Sequence, residues 1–266
     1  MFSKADAYER FMGRWSRLLA PDLIAFAEVR DGDAVLDVGS GTGALSFALR
    51  DAIKTGRITG VEPSEDFVTH AARKSDGPRV HFEVGDAQRL KLPDSAFDKT
   101  VSALVVNFIP EPARAVREMI RVTKPGGVVT AAVWDYGRDG MQMLRVFWDE
   151  ATAFDAAIEP RDEAHMPLCA RGALAALWRR EGLENVQEAP LTVTLHFASF
   201  DDYWAPFLLG QGPAGAYVAS LPLDRQRALE QRLRTRLFGD GPDHPIDMHA
   251  RAWAVKGTVP QTLSRG

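Results

Sequence analysis

Val35-Leu36-Asp37-Val38-Gly39-Ser40-Gly41-Thr42-Gly43 is the stretch on which the fold turns. An apolar run enters three glycines at alternate positions and leaves into Ala44-Leu45-Ser46, the opening of a helical pattern. Glycine has no Cβ, so the chain can turn sharply there and bring bare backbone against a ligand. The helix that follows leaves its first N–H groups without internal partners, aimed at the same place. Strand, glycine turn and helix in this order predict the first unit of a parallel α/β sheet.

The pattern repeats outward. Short apolar runs at 34–38, 57–61, 80–84, 99–106 and 128–133 alternate with helical periodicity at 43–52, 65–74 and 112–122, the signature of βαβ units. Residues 1–30 read as helical, with Phe11, Trp15, Leu18 and Leu19 as an apolar stripe ahead of Pro21. Beyond Trp134 the pattern shifts. Helices are expected at 141–159 and 171–181, a strand at 191–197, and further helices over 200–238, broken by Pro206, Gly210, Gly212, Pro213 and Pro222. An apolar alternation at 246–255 is the candidate for a returning strand. Three segments follow: 1–30, helical and lying over the cofactor site; 31–135, the cofactor-binding core; and 136–266, the rest of the sheet with a helical substrate or cap region.

The 266 residues, 45% apolar and 26% charged, describe an ordinary globular protein. The longest apolar runs, 101–109 and 128–134, are too short to span a bilayer. Lys4, Asp6, Glu9 and Arg10 interrupt what a signal peptide would need, so the cytoplasm is the expected location. Cys169 is the single cysteine, which rules out an internal disulfide and a multi-cysteine metal site, and no metal is expected. The net charge is −4, with no long basic tract. The nearest thing to one (Arg225, Arg227, Arg232, Arg234, Arg236) shares a helical segment with Leu229, Leu233 and Leu237, so it reads as the solvated face of an amphipathic helix. Neither nucleic acid nor membrane is expected as a partner.

Two readings of the glycine stretch compete. Gly39, Gly41 and Ala44 fit the G-x-G-x-x-A fingerprint of dinucleotide sites. Against it stands Asp37, two residues before the first glycine, which can order loop amides or meet an ammonium but would repel a pyrophosphate. The second run ends Gly60-Val61-Glu62-Pro63-Ser64, and Glu62 can accept from both hydroxyls of a ribose, a feature that suits either ligand. The third run ends Gly85-Asp86-Ala87-Gln88, where Asp86 can accept from an adenine amino group or simply order a turn.

Taken in order, the Asp37–Gly43 loop, Glu62-Pro63-Ser64, Gly85-Asp86-Ala87 and Lys124-Pro125-Gly126-Gly127 resemble the successive motifs of class I S-adenosylmethionine-dependent methyltransferases. The likeness is to the type-11 methyltransferase domain, similar to the ubiquinone/menaquinone-biosynthesis enzymes, and it covers residues 35–134. The resemblance implies a Rossmann-like, seven-stranded, mostly parallel sheet with helices on both faces, a closing antiparallel hairpin and added helical cap segments. It further implies that Gly39, Ser40, Gly41, Thr42 and Gly43 line the methionine portion of the cofactor. Glu62, Pro63 and Ser64 would flank its ribose, and Asp86, Ala87 and Gln88 its adenine. Phe67 packs against the adenine edge or in the core, and Asn107 and Phe108 stand near the reacting methyl group. Tyr8 and Met12-Gly13-Arg14-Trp15-Ser16 resemble the helix that precedes this domain, with Arg14 facing either the cofactor carboxylate or solvent.

The expected activity is transfer of the sulfonium methyl group of S-adenosylmethionine, leaving S-adenosylhomocysteine, to a small-molecule acceptor, mainly by proximity and orientation. Two alternatives stay open: a nicotinamide-dependent oxidoreductase, and a cofactor-binding protein of this fold without turnover. No base stands out, since His165, His196 and His249 read as ordinary polar residues. Asp135, at the end of the fifth run, and the Tyr203-Trp204 pair are the candidates for touching the acceptor.

Overall fold

The computed structural model describes residues 6, 8–155, 157–158 and 162–261. Among them seven strands form one sheet in the order β3-β2-β1-β4-β5-β7-β6. The strands are β1 (Ala34–Val38), β2 (Arg57–Glu62), β3 (Val80–Val84), β4 (Phe97–Ala103), β5 (Thr123–Trp134), β6 (Glu184–Phe197) and β7 (Ile246–Thr258). The first five are parallel, and β7 enters between β5 and β6, antiparallel to both. This is the parallel sheet that the alternation of runs predicts, completed by the antiparallel hairpin that the resemblance implies.

Local chemistry explains the elements. Val35, Leu36 and Val38 in β1 are fully buried, as a parallel strand covered on both faces requires. Ahead of it, a π-helical turn at Glu9–Gly13 leads into α1 (Arg14–Phe26). Gly43 opens α2 (Ala44–Ala52), and Ser64 caps α3 (Glu65–Lys74) by accepting the Phe67 N–H. In α4 (Pro112–Val122), Pro112 occupies the first turn, where its missing N–H costs nothing, and Ala115, Val116, Met119 and Val122 form the buried stripe. Next come α5 (Gln142–Phe154), α6 (Ala173–Arg180), α7 (Phe200–Trp204), α8 (Gly212–Ser220) and α9 (Leu223–Phe238). One continuous apolar core joins Phe11 and Trp15 to the sheet and to Phe147, Tyr203, Phe207 and Leu229.

Several boundaries differ from expectation for identifiable reasons. Helix α1 runs through Pro21 to Phe26, because Leu19, Leu23 and Ile24 bury its inner face on both sides of the proline. Lys124-Pro125-Gly126-Gly127 is a bulge inside β5 rather than a turn before it. Pairing jumps from Phe97–Thr123 to Lys99–Val128, with Gly126 at φ +77°. Strand β6 begins at Glu184 and carries Pro190, which an edge strand tolerates. Helix α5 stops at Phe154, and the arginine-rich helix is α9, with Leu229 and Leu233 buried and Arg232 paired to Glu150 at 2.9 Å. Among the described residues no helix is long and apolar enough to cross a membrane.

The order of connections positions the site. The chain steps from β1 outward through β2 and β3, then crosses back to place β4 on the other side of β1. The loops leaving β1 and β4 therefore diverge, opening a crevice at the carboxyl ends of these strands.

Candidate functional site

The glycine loop leaves β1 at this crevice. Gly39, Gly41 and Gly43 have φ of +74°, +55° and +93°, a region that side chains other than glycine rarely adopt. Two of them do different work. A Cβ on Gly39 would stand 2.5 Å from Val105, so this glycine allows the loop to pack against the turn after β4. A Cβ on Gly41 would meet nothing within 4 Å and would project into open space. The N–H groups of Gly39 and Ser40 donate to the Val61 carbonyl at 2.8 and 3.1 Å, tying the loop to β2.

Three carboxylates surround the loop. Asp37 is buried, and its Oδ2 accepts from Ser46 Oγ at 2.6 Å while Oδ1 has no partner. Burial, reinforced by nearby Glu62, pushes its carboxyl up to about 7. Glu62, at the end of β2, accepts from the Gly41 N–H at 3.2 Å through Oε2 and from the Ser64 N–H at 3.1 Å through Oε1. Burial holds its pKa above the usual carboxylate range despite both bonds. Each oxygen keeps lone-pair capacity for a further donor. Asp86, after β3, is exposed and accepts from the Gln88 N–H at 2.8 Å, so it orders its own turn while also facing the crevice.

The crevice widens into a cavity of about 590 Å³. Its near wall holds Tyr8, Asp37, Gly39, Ser40, Gly41, Thr42, Glu62, Pro63, Phe67, Asp86, Ala87, Gln88 and Phe108, thirteen of the seventeen residues singled out for the cofactor. The segment before α1 lies against this wall: the Tyr8 and Phe67 rings are 5.6 Å apart, and the Thr42 hydroxyl donates to Glu9. Gly43 and Ser64 stand behind the wall as the residues preceding α2 and α3.

Five further expected positions lie elsewhere than the cavity wall. Arg14 donates to Asp202 at 2.7 Å and lies over Trp15, its guanidinium 4.0 Å from the ring centroid, so its charge is already engaged. Asn107 is buried, with neither amide atom partnered. Asp135 is held by Arg251 at 2.7 Å and by the Trp253 indole at 3.0 Å, and it accepts the Gly137 N–H at 2.8 Å. Tyr203 donates to the Met143 carbonyl at 3.0 Å, and both Tyr203 and Trp204 pack in the core around Phe207. As candidates for touching the acceptor, Asp135, Tyr203 and Trp204 are thus corrected to structural positions. Partners distant in sequence claim the polar groups of Asp135 and Tyr203, and Trp204 is buried against Phe207.

Apart from the Trp134-Asp135-Tyr136 end of the fifth run, sequence reasoning gave the far wall no acceptor role. It is formed by Phe11 and Met12, Leu104, Ile109 and Pro110, Trp134, Tyr136, Leu144, Glu163 and Gln211–Pro213. Tyr136 and Glu163 are its titratable groups. The position of Tyr136 beside Trp134, past the end of β5, was a usable signal. Glu163 had none, because its burial depends on a contact with Trp148.

Comparison with known proteins agrees with this geometry. A family described as "Methyltransferase domain" matches residues 36–131. The ubiquinone/menaquinone biosynthesis C-methyltransferase of Bdellovibrio bacteriovorus is 32% identical over 109 residues, 40% of this chain and 46% of that enzyme, so the match spans less than half of the relative. The malonyl-[acyl-carrier protein] O-methyltransferase of Serratia marcescens is 28% identical over 66% of this chain and 68% of its own length. The methyltransferase solved in complex with the Haloferax volcanii Trm112 activator superposes with a TM-score of 0.61 at 22% identity, covering 98% of this chain and 99% of that one. The match to the methyltransferase domain thus covers residues 36–131, well under half of the chain, and falls on the strands that carry the glycine crevice.

Proposed function

We propose that the protein transfers the methyl group of S-adenosylmethionine to a small molecule seated on the far wall of the same cavity. One observation carries this reading: a single cavity runs from the carboxylate-ringed glycine loop to a mostly apolar, aromatic far wall. The named relatives methylate carbon in one case and oxygen in another, so likeness alone does not select the acceptor.

The residues fit the cofactor. Asp37 Oδ1 and Ser40 Oγ are buried polar atoms without partners, an arrangement that stands at a cost unless a ligand supplies them. An ammonium beside Asp37 would satisfy Oδ1 and draw the carboxyl back to its ionised form. Glu62 is poised for vicinal hydroxyls, and Phe67 and Ala87 offer apolar contact to a base edge. The same carboxylates disfavour a dinucleotide, whose pyrophosphate would sit beside Asp37 and Glu62 with no lining cation among the described residues to balance it.

When bound, the cofactor supplies a sulfonium-activated methyl group, so alignment is the main demand left to the protein. The glycine loop and Glu62 fix one reactant, and Trp134, Tyr136 and Leu144 shape the space for the other. The apolar far wall excludes water from that space. Incubation with methyl-labelled S-adenosylmethionine and a panel of apolar small molecules tests the proposal. Label recovered in a small molecule supports it. Tight cofactor binding without transfer across a broad panel would instead indicate a binding protein of this fold.

A further inference from the structure

The cavity wall is chemically one-sided. Among the described residues it presents four carboxyl groups (Asp37, Glu62, Asp86 and Glu163) and no lysine, arginine or histidine. The first three belong to the glycine crevice. Glu163 belongs to the far wall with Phe11, Trp134, Tyr136 and Leu144, and it is 5% exposed.

From this placement we infer that Glu163 binds the methyl acceptor as an amine on an apolar body and takes the proton that the nitrogen must lose. The inference rests on the methyl-transfer reading above and names the acceptor class for that site. A carboxylate or phosphate acceptor would bring a second anion next to Glu163 with no lining cation to meet it. An ammonium, by contrast, meets a carboxylate and three aromatic rings, the combination that attracts organic cations.

The proton transfer balances within the site. In R–NH3+ one N–H bond breaks, its electron pair stays on nitrogen, and the proton moves to a Glu163 carboxylate oxygen. The products are neutral R–NH2, whose lone pair can form the new bond to carbon, and a protonated carboxyl. Glu163 suits this exchange, since burial pushes it up to about 7, while the indole N–H of Trp148 donates to Oε2 and steadies the anion. Among the described residues, the other charged or titratable groups acting on it are few. Asp162 and Arg145 are paired with each other at 3.0 Å, and Tyr136 and Cys169 are both held neutral by burial.

The test uses binding to the full chain saturated with S-adenosylhomocysteine, followed by calorimetry. The probes are 2-phenylethylamine, 2-phenylethanol and phenylacetate, which share a ring and differ in the head group. The amine should bind at least about tenfold more tightly than phenylacetate, and Glu163→Gln, whose amide oxygen can still accept from Trp148, should lose at least about tenfold in amine affinity. S-adenosylhomocysteine affinity should stay unchanged in that variant. On the wild type, amine affinity should fall about tenfold from about pH 8 to about pH 6, as the carboxylate is protonated through about 7 while the probe stays cationic. Equal or tighter binding of phenylacetate, or amine affinity indifferent to both pH and Glu163→Gln, overturns the inference. Failure of the wild type to bind S-adenosylhomocysteine at all would strike the methyl-transfer reading instead, a separate outcome.

Discussion

The glycine wall of the cavity and the core outside it are built in different ways. Around the glycine loop, most contacts are short in sequence or made by backbone, such as Glu62 with the Ser64 N–H, Asp86 with the Gln88 N–H, and Asp37 with Ser46 nine residues on. In the core outside the cavity wall, polar groups are matched across the chain. Asp135 meets Arg251 116 residues later, Arg14 meets Asp202 across 188, and Tyr203 reaches Met143 across 60. A site made from backbone turns tolerates only certain residues at each place, so it leaves a contiguous motif. A site assembled from side chains of distant elements leaves none.

Substitutions can break or sharpen that contrast. The largest effect is expected at Gly41, where a valine would project into open cavity space. Gly41→Val should weaken S-adenosylhomocysteine binding by more than about a hundredfold in calorimetry while circular dichroism remains close to wild type. Gly39→Val, which drives a Cβ into Val105, should instead lower the melting temperature, separating the two glycines of one motif.

The next effect depends on pH. Asp37 has a folded-state pKa of about 7 against an ordinary 3.8, so the folded protein holds this proton more tightly than the unfolded chain. Its stabilising contribution is complete at low pH and declines by up to a few kcal/mol as pH rises from about 4 to about 7. Melts of the ligand-free protein across that range should show Asp37→Asn declining less steeply than wild type. An identical slope would mean that Asp37 does not titrate there.

Asp135→Ala should leave Arg251 and Trp253 without their shared acceptor and cost about 3 kcal/mol in denaturant unfolding, with cofactor affinity preserved. A loss of acceptor turnover without loss of stability would return Asp135 to the site. Glu62→Ala should reduce S-adenosylhomocysteine affinity by about 2 kcal/mol, since the partner of both ribose hydroxyls disappears. Smallest of all, Tyr203→Phe removes one buried hydrogen bond to the Met143 carbonyl and should cost about 1 kcal/mol of stability with no kinetic signature.

The same contrast explains what could be read before any coordinates. Periodicity placed the parallel strands and the returning strand β7, because burial on both faces or on alternate faces stamps its period on the residues themselves. Helix ends and strand beginnings in the later half were less legible. The strand expected at 191–197 begins at Glu184 and runs through Pro190, which the edge position of β6 makes harmless. In the crevice, Gly39, Glu62 and Asp86 stood out because each ends a strand at the same sheet edge. Asp135 stood out by the same logic, yet Arg251 on the neighbouring β7 claims it, and pairing across strands so far apart in sequence leaves no local trace. Glu163 was invisible for the opposite reason. It sits in a polar stretch that reads as solvated loop until Trp148 and the cavity wall enclose it.

Calorimetric titration of the wild-type protein with S-adenosylhomocysteine and, separately, with NADH tests the central claim most directly. The account predicts one S-adenosylhomocysteine bound per chain and no heat from NADH. Saturable binding of NADH, with none of the thioether nucleoside, would contradict it.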